Sequence, residues 1–243
     1  MKNSFLFLTL LLFCGILSAQ NFEGAWKLIH EDGQPVANRE VIRINQDGYF
    51  AYGAKGIDNN YFLSAIGGEF QLNGSDYRVV QDFNTKEPNS IGKEFKYTLK
   101  WEGDDTFIIS NDLHSEVWKR LSDKKDDLTR NWVITGRERN GEMATMTPGN
   151  RRTVKILSGG RFQWIAFNSA SKEFSGTGGG TYTAEDGKYT ENIEFFSREN
   201  RRVGTSLEFE YEVKDGKWHH KGVSSKGDPI YEIWSPYKEA YKK

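Results

Sequence analysis

The chain has a single cysteine, Cys14, in 243 residues. It lies inside the opening stretch MKNSFLFLTLLLFCGILSAQ, so nothing after that stretch carries a thiol. Disulfides, thiolate metal sites and a cysteine nucleophile are thereby excluded from the rest of the protein. A chain without disulfides must be held by its core alone, which points to domains of about 100 residues and away from a small stapled scaffold. Histidine is scarce as well: His30, His114, His219 and His220 are the four. No His-x-His pair occurs, and adjacent His219 and His220 point to opposite faces of a strand. No metal and no cofactor are therefore expected. Charge of one sign is also missing in bulk, with 33 basic residues against 34 acidic ones and no long run of either. That gives no support to a nucleic-acid partner or a membrane-surface role. Beyond Leu17 no apolar run is long enough to cross a bilayer, so no transmembrane segment is expected in the mature protein.

The opening stretch has Lys2, an apolar run from Phe5 to Leu17, and the small residues Ser18 and Ala19 before Gln20. This is the pattern of an export signal over residues 1–19, cut after Ala19. Phe13 is too large to precede a lipidated cysteine, so Cys14 is not read as a lipid anchor. The expected location is the periplasm or the extracellular space.

What the chain does have is a repeat. Displaced by 112 positions, Arg39–Phe95 falls on Arg151–Leu207 without a gap. REVIRINQDGYFAY lies on RRTVKILSGGRFQW, and FLSAIGGEF on FSGTGGGTY. Tyr77 meets Tyr189, Phe83 meets Phe195 and Gly92 meets Gly204. With small shifts Trp26 pairs with Trp132, and EVWKRL with EIWSPY. The matches fall on glycines, aromatics and alternating apolar positions, which set backbone shape and core. Two copies of one unit follow, residues 20–121 and 128–237, joined by the charged stretch SDKKDDLTR.

Each copy reads as strands. LEFEYEV alternates strictly, with Leu207, Phe209, Tyr211 and Val213 on one face and three glutamates on the other. Asp47-Gly48, Asn73-Gly74, Gly159-Gly160, Asp186-Gly187 and Asp215-Gly216 supply turns between the runs. No helical period persists over three turns. About eight regularly spaced strands per copy predict an all-β protein of two tandem antiparallel up-and-down β-barrels, closure protecting so many strand edges.

Two features then resemble a known family. FEGAWKL carries Gly24-x-Trp26 on the first strand after the leader, and EVWKRL closes the same copy with Arg120. Lipocalins and the wider calycins open their barrel with Gly-x-Trp and pack a late basic residue over that Trp. The second copy keeps Trp132 but has Arg130 and Asn131 before it, leaving Lys238 as a candidate basic partner. The whole chain is similar to the lipocalin-like domains of exported bacterial proteins of unknown function. The resemblance implies β-barrels with room for a hydrophobic ligand, and no reaction.

The glycine run KEFSGTGGGTYT, with Gly176, Gly178, Gly179 and Gly180, invites a phosphate-loop reading. It fails because strand, turn and strand follow, with neither a helix nor the Lys-Ser/Thr such a loop requires. Glycine here suits a bend in a barrel strand or a close backbone approach. Gly176 and Gly178, which the first copy lacks, are expected to open room in the second barrel.

Candidate site residues therefore cluster in the second copy. Phe162, Trp164, Tyr182, Phe209, Tyr211 and Trp218 are the expected aromatic walls, and Glu191 and His220 the polar fixings. Glu191 stands where the first copy has Val79, on an otherwise apolar face. The plainer reading of Glu191 is a surface pair with Arg198, Arg201 or Arg202, and of His220 an exposed hairpin. His30 and His114 are expected to be exposed. Repetition of Glu116 as Glu232 favours a structural role, such as a pair with an arginine.

These readings lead to an exported protein binding a small apolar or amphipathic ligand, more in the second barrel than in the first. One rival is an acid–base enzyme (an isomerase, lyase or hydrolase) using Glu191 and His220. Another is a glycan- or protein-interaction module whose barrels are packed solid. No Gly-x-Ser-x-Gly elbow supports a hydrolase triad.

Overall fold

The computed structural model describes residues 20–224 and 227–242, so the export signal read over residues 1–19 lies outside the described residues. The first unit runs β1 (Gly24–Glu31), β2 (Gln34–Pro35), β3 (Arg39–Gln46), β4 (Tyr49–Gly56) and β5 (Phe62–Asn73). It continues through β6 (Asp76–Asn84), β7 (Glu94–Trp101), β8 (Thr106–Ser110) and β9 (Ser115–Ser122). The second runs β10 (Arg130–Arg139), β11 (Glu142–Thr145), β12 (Arg151–Ser158), β13 (Arg161–Asn168) and β14 (Glu173–Glu185). After these come β15 (Lys188–Phe196), β16 (Ser206–Lys214), β17 (Lys217–Val223), β18 (Pro229–Pro236) and the short helix α1 (Tyr237–Ala240).

Every neighbouring pair is antiparallel, and each sheet closes on itself, β1 with β9 and β10 with β18. Setting aside the short extra strands β2 and β11, the chain forms two closed eight-stranded barrels in tandem. This is the all-β fold class that the alternation predicts, and it fits a lipocalin-like tandem architecture. The displacement of 112 positions holds in three dimensions, since β12 and β15 begin that far beyond β3 and β6. Among the described residues no helix is long and apolar enough to cross a membrane.

The ends of each barrel are pinned by a tryptophan under a guanidinium. Arg120 lies over the Trp26 ring, 4.1 Å from its centroid, while its NH2 donates to the Asn21 carbonyl at 2.6 Å. The second barrel uses Arg130, 5.5 Å over Trp132, rather than Lys238. Arg130 is adjacent to Trp132's own strand start, so the cation arrives from the near end of the ladder instead of from the closing strand. Lys238 extends instead to Gly48 of the first barrel.

The glycine run sits in β14, at a register shift between Gly179 and Gly180. Gly67 and Gly68 of β5 sit at the same irregularity. A Cβ on Gly180 would run into the Asn192 carbonyl, and one on Gly68 into the Val80 carbonyl, the same neighbour 112 positions back. Both strands bend where the adjacent backbone comes too close for a side chain.

The outer faces of the barrels pack on one another. Ile44, Tyr49 and Phe83 of the first join Val154, Ile156 and Phe167 of the second in one buried cluster. At its centre Arg152 NH2 meets Asp82 Oδ2 at 2.7 Å, with both side chains buried. Tyr49 and Tyr237 each donate a hydroxyl to the same Asp82 oxygen, at 3.1 and 3.3 Å. The helix α1 thus fastens the end of the second barrel to the first.

Candidate functional site

Alternation along closed strands aims every second side chain into a barrel, so each interior is the natural place for a site. In the second barrel the structure brings the six expected aromatics into one interior cluster. Phe162, Tyr182, Phe209 and Trp218 are buried, while Trp164 and Tyr211 are half-buried. Val213, expected on the same face as Tyr211, lies near the strand end and is exposed.

Glu191 and His220 are both buried, 4% and 2% exposed. This overturns the surface readings of the two residues. Lys155, also buried, reaches Glu191 Oε1 at 2.7 Å, and Tyr189 donates its hydroxyl to the same oxygen at 3.0 Å. The arginines offered as partners go elsewhere: Arg198 donates to the Ser175 carbonyl, and Arg201 and Arg202 pair with Glu199. The physical reason is strand parity: Glu191 shares the inward face with Tyr189 and Ile193.

Glu191 and His220 nonetheless belong to different hydrogen-bond sets. His220 Nδ1 lies 3.4 Å from Glu232 Oε2, which also accepts from Trp234 Nε1 at 3.1 Å. Arg137 bonds the other oxygen of Glu232, giving that repeated glutamate the arginine partner its repetition suggested. His219, on the opposite face, meets the Tyr231 hydroxyl at 2.8 Å. Burial pushes the His220 imidazole below its ordinary value, against the pull of Glu232. Burial opposes ionisation of Glu232 too, but His220, Arg137 and Lys155 outweigh it and hold the carboxyl at about 2. Burial, reinforced by Glu191, drives the Tyr189 hydroxyl well above its usual range.

The extra glycines do not open this barrel. Arg198 covers Gly176, its Nε 2.8 Å from where a Cβ would stand, and the Trp164 and Phe196 rings close over Gly178 at 2.8 and 2.9 Å. Lys155 Nζ lies 5.1–5.3 Å from the ring centres of Tyr189, Trp218 and Trp234, and His220 packs 4.2 Å from Phe209. The centre is occupied by this ion pair and its rings.

The first barrel is built differently at the same positions. Arg43 replaces Lys155, and Val79 and Ile109 stand at the places of Glu191 and His220. Arg43 is 2% exposed, donates from Nε to Asn45 Oδ1 at 2.7 Å and from NH2 to the Tyr77 hydroxyl. Its guanidinium lies 4.5 Å from the Phe50 ring centre and 5.5 Å from that of Trp118. Among the described residues it has no carboxylate in ion-pair contact. Burial raises the Tyr77 hydroxyl to about 12, although Arg43 pulls the other way.

Arg43 faces a cavity of about 50 Å³, lined also by Tyr52, Tyr77, Gln81, Tyr97 and Glu116. Tyr52, Ile66, Tyr97 and Glu116 are half-buried and mark its solvent end, whereas Arg43, Phe50 and Val79 are buried. Sequence reasoning missed Arg43 and Lys155. The available signal was a basic residue repeated 112 positions apart, on the alternate face of VIRI and TVKI that its neighbours fill with interior side chains.

His114, expected to be exposed, is half-buried between two carboxylates, Asp32 Oδ1 at 2.9 Å from Nδ1 and Glu116 Oε1 at 3.2 Å from Nε2. Its hydrogen bond to Glu116 is the main cause that lifts its pKa to about 9. A hairpin between β8 and β9 places it there, opposite the β1–β2 turn that carries Asp32.

No curated protein matches the chain. Residues 127–242, the span of the second barrel and α1, match the model of a domain of unknown function, DUF4488.

Proposed function

We propose that this is an exported binding protein for a small amphipathic molecule with an anionic head, received by the first barrel. The observation that carries the reading is Arg43: a buried guanidinium, without a carboxylate partner among the described residues, facing a cavity. A buried cation favours an anion that completes its hydrogen bonds, and the aromatic surround excludes water that would compete. A cavity of about 50 Å³ seats a head group, leaving an apolar tail to lie along Tyr52, Ile66 and Tyr97 at the solvent end. The leader supports export to the periplasm or beyond. The second barrel, filled by Lys155, Glu191 and their rings, serves as a packed companion. Ligand walls built from Phe162, Trp164, Tyr182, Phe209, Tyr211 and Trp218 would require that centre to open.

The test compares decanoate with decanol by tryptophan fluorescence. Decanoate is expected to bind at least about tenfold more tightly, the worth of one charge-assisted contact. Arg43→Met should erase the difference, and Arg43→Lys should keep part of it. Equal binding of the two, or binding of neither, contradicts the reading.

A second reading rests on a groove of about 460 Å³ outside the barrels, where Arg78, Glu94, Lys238 and the half-buried Tyr241 come together. A ring beside charged groups suits a glycan, and a glycan array probed with the protein and its Tyr241→Ala variant tests this. Loss of a defined signal in the variant supports it; no signal from either rejects it. The acid–base enzyme has less support, since Glu191 and His220 are engaged by different partners.

A further inference from the structure

At the rim of the first barrel, Glu31 on β1 and Glu116 on β9 are direct cross-strand partners. Like charges placed directly opposite destabilise a ladder unless something positive stands between them. The second barrel shows what belongs there. Its corresponding cross-strand pair is Arg137 with Glu232, and the guanidinium bonds the carboxylate. The first barrel keeps the glutamate of the closing strand but has exchanged the arginine for a second carboxylate.

His114 joins this pair, and ligand atoms of Glu31, His114 and Glu116 lie within 4.8 Å of one another. Each of the three is also held from behind. Asp32 Oδ1 lies 2.9 Å from His114 Nδ1, leaving Nε2 directed at Glu116. Trp118 Nε1 donates to Glu116 Oε2 at 2.9 Å, leaving Oε1 toward His114. Arg39 NH2 holds Glu31 Oε2 at 2.6 Å. A carboxylate behind the imidazole, with hydrogen bonds behind each ligating carboxylate, is the outer arrangement that orients ligands around a metal.

We propose that Glu31, His114 and Glu116 form a binding site for a divalent cation of the zinc class at the mouth of the first barrel. Bonds of roughly 2.0–2.2 Å in a tetrahedral shell place neighbouring ligand atoms about 3.3 Å apart. His114 Nε2 and Glu116 Oε1 already stand 3.2 Å apart. The imidazole favours zinc over calcium or magnesium, which prefer all-oxygen shells. Charge also balances: three carboxylates, counting Asp32, face Arg39 and a dipositive ion. On binding, the metal takes the Nε2 lone pair, and any proton held there passes to solvent. Three protein ligands leave a fourth position, and Glu116 also lines the cavity that Arg43 faces. The site does not depend on the proposed amphiphile, because none of its ligands is Arg43.

The test is titration of chelator-treated full-length protein with zinc chloride, followed by calorimetry and by tryptophan emission, which reports on Trp118. One equivalent is expected, with calcium chloride unable to displace it. His114→Ala and Glu116→Gln should each weaken binding by at least about 100-fold, and Asp32→Asn by about 10–100-fold through loss of the carboxylate charge behind the imidazole. Glu116→Gln keeps an acceptor for Trp118, and circular dichroism of each variant confirms that the barrel is folded. Failure of the wild-type chain to bind zinc, or undiminished binding by folded His114→Ala, overturns the proposal. Decanoate binding in the presence of chelator reads the ligand proposal separately.

Discussion

Lys155 and Glu191 meet at 2.7 Å in the centre of the second barrel, where the first barrel sets Arg43 and Val79. The duplication has kept a buried cation in both interiors and set a carboxylate in direct contact with it in only one. That difference pairs the cation of the second interior with a carboxylate and leaves the Arg43 guanidinium bonded to the neutral Asn45 and Tyr77.

The same difference sets the cost of dismantling the pair. Glu191→Val leaves Lys155 buried and unpaired, and should destabilise the protein by about 3–5 kcal/mol. Lys155→Met combined with Glu191→Val should recover most of that loss, since an apolar pair of similar volume is often neutral. Urea unfolding of the two single variants and the double variant checks the sign of the coupling.

Acid should loosen the second barrel in two stages. His220 is held below its ordinary 6.5 by burial, so the unfolded chain takes up its proton first and stability falls as pH drops through 6.5. Glu232 is held at about 2 against an ordinary 4.5, so its contribution is complete above 4.5 and is lost as pH falls toward 2. The full Glu232 effect is about 3 kcal/mol. Denaturant midpoints measured between pH 7 and 2.5 should show both declines. His220→Phe should remove the upper one, and Glu232→Gln the lower.

The tie between the barrels gives a separate test. Asp82→Asn weakens the buried contact with Arg152 and should cost about 3–5 kcal/mol. Because the tie crosses the interface, its loss should also split one cooperative unfolding transition into two. Calorimetry distinguishes a split from a uniform shift of the midpoint.

Gly180→Ala should cost about 2 kcal/mol or more, because its Cβ would meet the Asn192 carbonyl and backbone must move. Gly149→Ala, with nothing within 4 Å, should stay within about 0.5 kcal/mol. Thermal unfolding of both variants shows whether the glycine run serves close backbone approach.

Much of this architecture was legible before any coordinates. Alternation in LEFEYEV, turn pairs such as Asp186-Gly187 and the displacement of 112 positions lead to two antiparallel barrels. Parity grouped the six aromatics on expected interior faces and set Glu191 on an apolar face, since it depends only on counting along a strand, but the plainer reading of Glu191 as a surface pair did not hold. Three things were beyond that count. The cationic partner of Glu191, Lys155, comes from β12 and not from the nearby arginines, and that choice requires the register of the closed sheet. The space vacated by Gly176 and Gly178 is taken up by Arg198, Trp164 and Phe196, whose rotamers no pattern of glycines reveals. The gathering of Glu31, His114 and Glu116 depends on closure of β1 against β9, which joins residues far apart in the chain.

Native mass spectrometry of the protein purified from its own source tests most directly the proposal that Arg43 receives the head of an acidic ligand in the first barrel. A retained small acidic molecule is expected on the wild-type protein, kept at least in part by Arg43→Lys and absent from folded Arg43→Met. A wild-type protein that carries nothing and takes up no decanoate, or an adduct that survives Arg43→Met, would contradict it.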